Sequence, residues 1–493
     1  MVENPDNLRS LAFWRVGLHR LLMSEKRPHI LFILSDDQGP WALGCAGNTE
    51  LRTPNLDRLA RSGMRMDHFF CASPVCSPAR ATLMTGKIPS QHGVHDWIAG
   101  GSTIPPYDYV SGEERIPYLR GQSGYPERLR EVGYDTALCG KWHLGDSHQP
   151  QLGFDHWSVH AKGGGPYYGA PFVDGETVRE IPEYVSDYVT DQALDWLSNR
   201  PNPEHPFYLS VHYTAPHSPW GRDQHPGELY SDYYDNCPFQ SVPEGLTPPA
   251  WAQGISIPVR DEATRREYLS GYYAAMTAMD LQIGRLLDWL EDQGLREETL
   301  IVFTSDNGMC MGHHGVFGKG NATDPVNMFE ESIQVPFLIS HPGQIPANST
   351  RSELLSQYDW MPTLLDYLGL PAEPGNFPGN SFAPLLRGET RPAEEQPVVI
   401  FDEYGPVRMI RNRDWKWIRR YAQGPDELYH LASDPMEQYN LAQDAKEAEI
   451  REQLDGELTA WFSRYISDPK KDGKNQTAGG FGQVGLSGSP DSF

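Results

Sequence analysis

Residues 28–34, Pro-His-Ile-Leu-Phe-Ile-Leu, form a short continuous apolar run that stops at Ser35-Asp36-Asp37. A run without polar alternation has no solvent face, which predicts a strand buried on both sides of a parallel sheet. Residues 299–303, Thr-Leu-Ile-Val-Phe, repeat the design and end in Thr304-Ser305-Asp306-Asn307-Gly308. Tyr134 to Cys139 and Phe207 to Val211 predict two more strands, each followed by a polar cluster. Helical periods lie between them. Thr53-Pro54 through Gly63 carries an N-cap, a proline at the first helical position, Leu56, Leu59 and Ala60 in phase, and a closing glycine. Residues 265–293 read as one long helix, with Leu269, Tyr272, Tyr273, Met276, Met279, Ile283, Leu286, Leu287 and Leu290 on a helical repeat. Strands alternating with helices predict an α/β fold. In open sheets of that class ligands sit at the carboxyl ends of the strands, so the two acidic strand ends are expected to converge on one site.

The pattern changes over 370–395, which is rich in Pro, Gly and Glu. Beyond it come strand-like segments at 397–402, 407–411 and 415–421, then an amphipathic helix carrying Ile450, Leu454, Leu458 and Trp461 on one face. The expected organisation is an N-terminal extension (1–26), a catalytic domain (27–385), a small C-terminal α+β subdomain (386–467) and a flexible tail (468–493) rich in Gly, Ser, Lys and Asp. Arg15, His19 and Arg20 interrupt the apolar stretch Leu11 to Met23, so it does not read as a signal peptide, and the run Ile30 to Leu34 is too short for a membrane span.

A chain of 493 residues with 39% hydrophobic and 22% charged residues is globular in composition. Its 41 basic and 66 acidic residues give a net charge of −25. That field argues against general nucleic-acid binding, and it requires any anionic substrate to be held by a local cluster of cations. Six cysteines are too few for a disulfide scaffold, and none forms a CxxC pair. The expectation is a cytoplasmic protein with reduced thiols.

Asp36, Asp37, Asp306 and Asn307 offer hard oxygen donors. Three carboxylates gathered at one site would repel one another without a cation, and such a set suits a hard divalent ion, Ca²⁺. The most informative segment is Cys76-Ser77-Pro78-Ala79-Arg80-Ala81-Thr82-Leu83-Met84-Thr85-Gly86. A cysteine by itself is most often a small buried hydrophobe. Pro78, however, fits the first turn of a helix, which puts Cys76 at or next to a helix N-terminus, where anions are stabilised. Arg80 lies one turn on and points back at the same spot.

This string resembles the signature of the type I, formylglycine-dependent sulfatases, C-x-P-x-R followed by a Thr-Gly, with Ala79 where serine is frequent. Other segments similar to that family follow in order. They are Gly140-Lys141-Trp142-His143-Leu144-Gly145, Ala215-Pro216-His217-Ser218-Pro219, and Gly312-His313-His314-Gly315-Val316-Phe317-Gly318-Lys319, in which His313 replaces a common glutamate. The resemblance implies an alkaline-phosphatase-like fold: a large, mostly parallel mixed sheet flanked by helices, with a short antiparallel sheet in the C-terminal subdomain. It implies that a maturation enzyme oxidises Cys76 to formylglycine. It also implies one Ca²⁺ ligated by Asp36, Asp37, Asp306, Asn307 and the group at position 76. Lys141 and Lys319 would bind the sulfate, and Arg80 would stabilise charge on its oxygens. His217 would protonate the leaving alcohol, and His143 would take the proton that releases sulfate from the enzyme. His313 and Trp97 are candidates for the wall of the substrate pocket.

The implied activity is hydrolysis of a small anionic sulfate ester, without nucleic acid or membrane as partner, and homo-oligomerisation is left open. Long segments at 96–125 and 221–262 carry Trp97, Tyr107, Tyr109, Trp220, Tyr230, Tyr233, Tyr234 and Trp251. Aromatic faces of this kind pack on sugar rings, which favours a sulfated carbohydrate such as a glycosaminoglycan-derived saccharide. Arylsulfatase, choline-sulfatase and phosphonate or phosphate ester hydrolase are the alternatives. A non-catalytic glycan-binding relative would be expected to lack Cys76, Lys141, His143 or His217, and all four are present.

Overall fold

The computed structural model describes residues 27–108, 114–389, 399–401, 406–421, 423–466, 468–475 and 482–487. The expected extension at 1–26 and Tyr109 lie outside the described residues. Eight strands lead into the main sheet: β1 (His29–Ser35), β2 (Met64–Phe70), β3 (Asp135–Lys141), β4 (His156–His160), β5 (Ala170–Asp174), β6 (Thr177–Ile181), β7 (Phe207–His212) and β8 (Thr299–Ser305). A two-stranded ribbon, β9 (Cys310–Met311) and β10 (Phe317–Gly318), stands apart from it. The sheet is completed by β11 (Gln334–Ser340), β12 (Ser349–Arg351) and β13 (Leu355–Ser356). Its order is β12-β2-β11-β8-β1-β7-β3-β4-β5-β6, with β13 beside β2. The centre is parallel: β1 pairs with both β7 and β8, and β3 with β7 and β4. β11 runs antiparallel between β2 and β8.

The apolar run of β1 has its physical reason here. Ile30, Phe32 and Leu34 enter the core on one face of the sheet. Leu31 and Ile33 enter the core on the other, which the helix Glu262–Asp292 seals with Leu269, Met276, Ile283 and Leu290. Burying each such side chain contributes about 1.5–3 kcal/mol, so a strand with no polar face is stable only at the middle of such a sandwich.

After β14 (Val399–Phe401), β15 (Val407–Arg411), β16 (Trp415–Arg420) and β17 (Glu427–His430) complete a separate antiparallel sheet. The helix Ala448–Tyr465 packs Leu454, Leu458 and Phe462 against Ile410, Trp417 and Leu428. Charge joins this unit to the large domain. Glu330 lies 3.1 Å from Arg411 and 3.2 Å from Lys416, and Lys416 also meets Glu437 at 2.7 Å.

The described parts of the segment 468–493 depart from the flexible tail that its composition suggests. Asp472 pairs with Arg408, Gly473 donates to Ser90 Oγ at 3.2 Å, and Gln483 is fully buried and bridged to Ile98. Composition reports average solvation and is blind to one glutamine whose amide finds backbone partners inside the protein. All six cysteines are free thiols. Among the described residues no helix is long and apolar enough to cross a membrane.

Candidate active site

β1 and β8 pair in register through Ser35 and Ser305, so the next residues leave the sheet side by side. The Asp306 amide donates to the Ser35 carbonyl at 3.2 Å, and the Asp37 and Asn307 amides donate to Asp306 Oδ1 at 3.2 and 2.8 Å. Asn307 Nδ2 donates to Asp37 Oδ1 at 2.9 Å. Asp37 takes a φ of 62° to make this turn. Asp36 Oδ1 and Asn307 Oδ1 are buried acceptors without a hydrogen-bond donor. Burial and the neighbouring Asp306 push the Asp36 carboxyl up to about 8. Burial would raise Asp306 as well, but Arg80 and Lys141 outweigh it and hold that group below the usual range. Two orphaned oxygens among three buried carboxylates match the donor chemistry of a hard cation.

Cys76 opens the helix Cys76–Thr85, all ten residues of which are buried. Val75 before it is extended, so the cysteine sits on the positive end of the helix. One atom each from Cys76, Asp36 and Asp306 lie within 4.8 Å of one another. Burial raises the Cys76 thiol, against the opposing pull of Lys141 and Lys319. Arg80, one turn on, is buried in the site, with no hydrogen bond on Nη2, which lies 3.9 Å from Asp36 Oδ1. Its Nε donates to Asp306 Oδ2 at 2.8 Å and Nη1 to the Lys141 carbonyl at 3.0 Å. A guanidinium buried this deeply needs a carboxylate, and Arg80 therefore braces Asp306 and the end of β3.

Lys141, the last residue of β3, bonds Asp36 Oδ2. Lys319 bonds Asp37 Oδ1 and lies 3.7 Å from Cys76 Sγ. Burial would raise Asp37, but Lys319 and His217 outweigh it and hold the carboxyl well below its ordinary value. His143 turns into the site with a φ of 56°. Its Nε2 meets the Ile98 carbonyl at 3.1 Å, while Nδ1 is buried without a partner. Burial pushes this imidazole well below its ordinary range, so it is neutral at pH 7. His217 Nδ1 donates to the Ser218 carbonyl at 2.6 Å, and Nε2 lies 3.7 Å from Asp37 Oδ2. Burial lowers His217 to about 4, against the pull of Asp37. Its side chain is 25% exposed, against 0% for Lys141 and 10% for Lys319. The site therefore opens to solvent on the His217 side.

Trp97 packs against Val75 and Cys76, as a pocket wall would. His313 lies elsewhere. Gly312, at φ 113°, swings it toward Trp41 (ring centroids 5.3 Å apart), where it lines a separate cavity with His68, Glu331 and Arg411. None of the residues around Cys76 lines that cavity. His212 is structural: Nε2 bonds Ser210 at 2.7 Å and Nδ1 meets the Lys141 carbonyl at 3.0 Å.

Three contributors escape the sequence patterns. Gln357 Nε2 donates to the carbonyls of Ser305 and Asp306 at 3.2 and 2.7 Å, and so fixes the β8 turn from beneath. Gly163 and Gly164 lie against the two histidines: a Cβ on Gly163 would fall 2.1 Å from the His143 ring, and one on Gly164 3.3 Å from His217 Cε1. The only trace of this in the sequence is the triple glycine at 163–165.

The chain matches the family model described as Sulfatase over residues 28–370, and that described as N-sulphoglucosamine sulphohydrolase, C-terminal, over residues 312–463. It is 30% identical to an N-acetylglucosamine-6-O-sulfatase of Bacteroides thetaiotaomicron, over 87% of this chain and 85% of that one. It is also 30% identical to an ulvan-active sulfatase of Formosa agariphila, over 88% of this chain and 80% of that one. A solved structure described as being in complex with its substrate D-glucosamine-2-N,6-O-disulfate has a TM-score of 0.72 to this chain at 27% identity, and covers 92% of this chain and 100% of that chain.

Proposed function

The chain belongs to the sulfatase family, and from that premise we propose that it removes sulfate from a sulfated saccharide, using formylglycine made from Cys76 and one Ca²⁺. Family membership makes it a sulfuric ester hydrolase. The observation that carries the reading of the site is the meeting of Cys76, Asp36 and Asp306 within 4.8 Å at a helix N-terminus. The saccharide is supported by relatives named for sulfated sugars, by the neighbour bound to a disulfated glucosamine, and by Trp97 beside position 76.

Asp36, Asp37, Asp306 and Asn307 would hold the ion. When present, Ca²⁺ supplies positive charge to the sulfuryl oxygens, and formylglycine supplies a hydroxyl nucleophile with an internal route for releasing sulfate. The chain's own residues do the rest. Lys141 and Lys319 neutralise the anion inside a negatively charged protein. Arg80 fixes the Asp306 carboxylate. With its Nδ1 hydrogen held by Ser218, His217 gives a proton to the leaving oxygen from Nε2. An anionic substrate beside that imidazole raises its low pKa and fills the acid form. His143, with its Nε2 hydrogen held by Ile98, presents the Nδ1 lone pair as the base for the second step.

The test is co-expression with a formylglycine-generating enzyme. The peptide carrying position 76 should show the aldehyde mass. On a panel of sulfated mono- and disaccharides, an aryl sulfate, choline sulfate and a phosphonate monoester, kcat/KM should be highest for a saccharide. Fully active protein with unmodified cysteine would overturn the nucleophile, and a maximum on another ester would overturn the substrate.

A further inference from the structure

The segment Gly482–Ser487 lies against the loop that walls the active site. Gln483 is fully buried there, and four of its hydrogen bonds fall on one loop. Its side-chain oxygen accepts from the His95 amide at 3.0 Å, and its Nε2 donates to the Gly93 carbonyl at 3.1 Å. Its backbone N–H donates to the Trp97 carbonyl at 2.7 Å, and its carbonyl accepts from the Ala99 amide at 2.9 Å. Residues 93–99 are thus held at four points by one residue nearly four hundred positions away.

That loop holds three parts of the site. The Ile98 carbonyl takes the His143 Nε2 hydrogen, the Ile98 amide donates to Ser77 Oγ at 3.0 Å beside the nucleophile position, and Trp97 packs on Cys76. Gly482 lies flat on Trp97: a Cβ there would fall 2.7 Å from the indole and 2.7 Å from Ala99 Cβ. Its φ of 85° is also one that side-chain-bearing residues rarely adopt. A loop with no strand or helix of its own over these positions has little internal reason to keep this shape. A buried glutamine satisfying both sides of its amide is costly to remove, because the loop amide and carbonyl it serves are left without partners.

We propose that the C-terminal segment Gly482–Ser487 is part of the active-site wall and that Gln483 is a positioning residue, acting through the loop 93–99 on His143, Trp97 and the group at position 76. The kinetic part rests on the sulfatase reading of that site; the conformational part does not.

The test uses the full-length chain in two preparations. In protein made without the maturation enzyme, Cys76 is a buried thiol in the cluster that Trp97 packs against, and its alkylation by iodoacetamide is followed on the Cys76 peptide by mass spectrometry. Gln483→Ala is expected to raise that rate about tenfold or more. Gly482→Val, which pushes on Trp97 while leaving the amide in place, should raise it too. Leu458→Ala, in the core of the C-terminal helix, serves as the control for general destabilisation. In matured protein, Gln483→Ala should lower kcat on a sulfated saccharide about tenfold with sulfated enzyme accumulating, as for loss of His143, and Gln483→Glu, which keeps the acceptor for His95, should recover part of it. Unchanged alkylation in both wall variants, or an equal rise in Leu458→Ala at the same loss of Tm, would overturn the proposal. Faster alkylation with no sulfatase activity in any preparation, wild type included, would uphold the wall and defeat the sulfatase reading.

Discussion

At the scale of single residues, the two histidines of the site differ in which nitrogen is tied. His217 has Nδ1 fixed and Nε2 facing the site, whereas His143 has Nε2 fixed and Nδ1 unpartnered. Their removal should therefore fail differently. General-acid help is worth about 10²–10⁴-fold, and it matters most for a poor leaving group. His217→Ala should lose most of that factor in kcat/KM on a sugar sulfate and much less on a nitrophenyl sulfate. His143→Ala should slow both alike and let sulfated enzyme build up, visible in the intact mass during turnover. Equal losses for His217→Ala on both esters would show the roles to be misassigned. The orphaned oxygens give a second expectation. Ca²⁺ should raise Tm in the wild-type chain, with unconverted Cys76 as well as with formylglycine. Asp306→Asn should abolish that rise and turnover together, and a wild-type melting curve indifferent to both Ca²⁺ and chelator would count against the ion.

At the scale of elements, one junction sets the site's geometry and a second holds the C-terminal sheet to the large domain. The loop after β4 brings Gly163 against the His143 ring, so Gly163→Ala should displace the imidazole, cutting kcat at least tenfold while Tm and far-UV spectra change little. The second junction is the docking of the C-terminal sheet through Glu330. Burial would raise Glu330, but Arg411 and Lys416 outweigh it and hold it at about 2. Its unfolded value is higher, about 4.3, so the folded state binds this proton less readily. The stabilisation is complete above the unfolded value and is lost as pH falls toward the folded one. Glu330→Gln should accordingly be about 3 kcal/mol less stable than wild type at pH 7, with the gap falling to about half by pH 3 and the urea midpoints of the two proteins converging only below about pH 2. A constant gap across that range would mean that Glu330 contributes by packing and not by charge.

At the scale of the whole molecule, a chain of net charge −25 must admit an anionic ester. Salt screens that repulsion over a Debye length of about 10 Å at 0.1 M, so kcat/KM should rise a few-fold between about 10 and 100 mM NaCl; a steady fall would mean that the field of Lys141, Lys319 and the bound ion dominates at the entrance. The same contrast between local and global governs what was legible beforehand. The apolar runs of β1 and β8 and the helical period of 265–293 were readable because a strand or helix buried at the centre of a sandwich admits only one kind of side chain. Cys76, Asp36, Asp37, Asp306, Asn307, Lys141, His143, His217 and Lys319 were readable because they stand in short local strings at element ends. His313 stands in such a string too, yet the backbone turn at Gly312 carries it to another cavity, and a string of residue types does not encode that direction. Gln357, Gly163 and Gln483 act through contacts spanning tens to hundreds of residues, and nothing near them in the chain records the partner. The sequence by itself determined which chemical groups are available and which elements deliver them; only the tertiary structure decided which group braces which, because a hydrogen bond to a distant backbone leaves no mark on local composition or period.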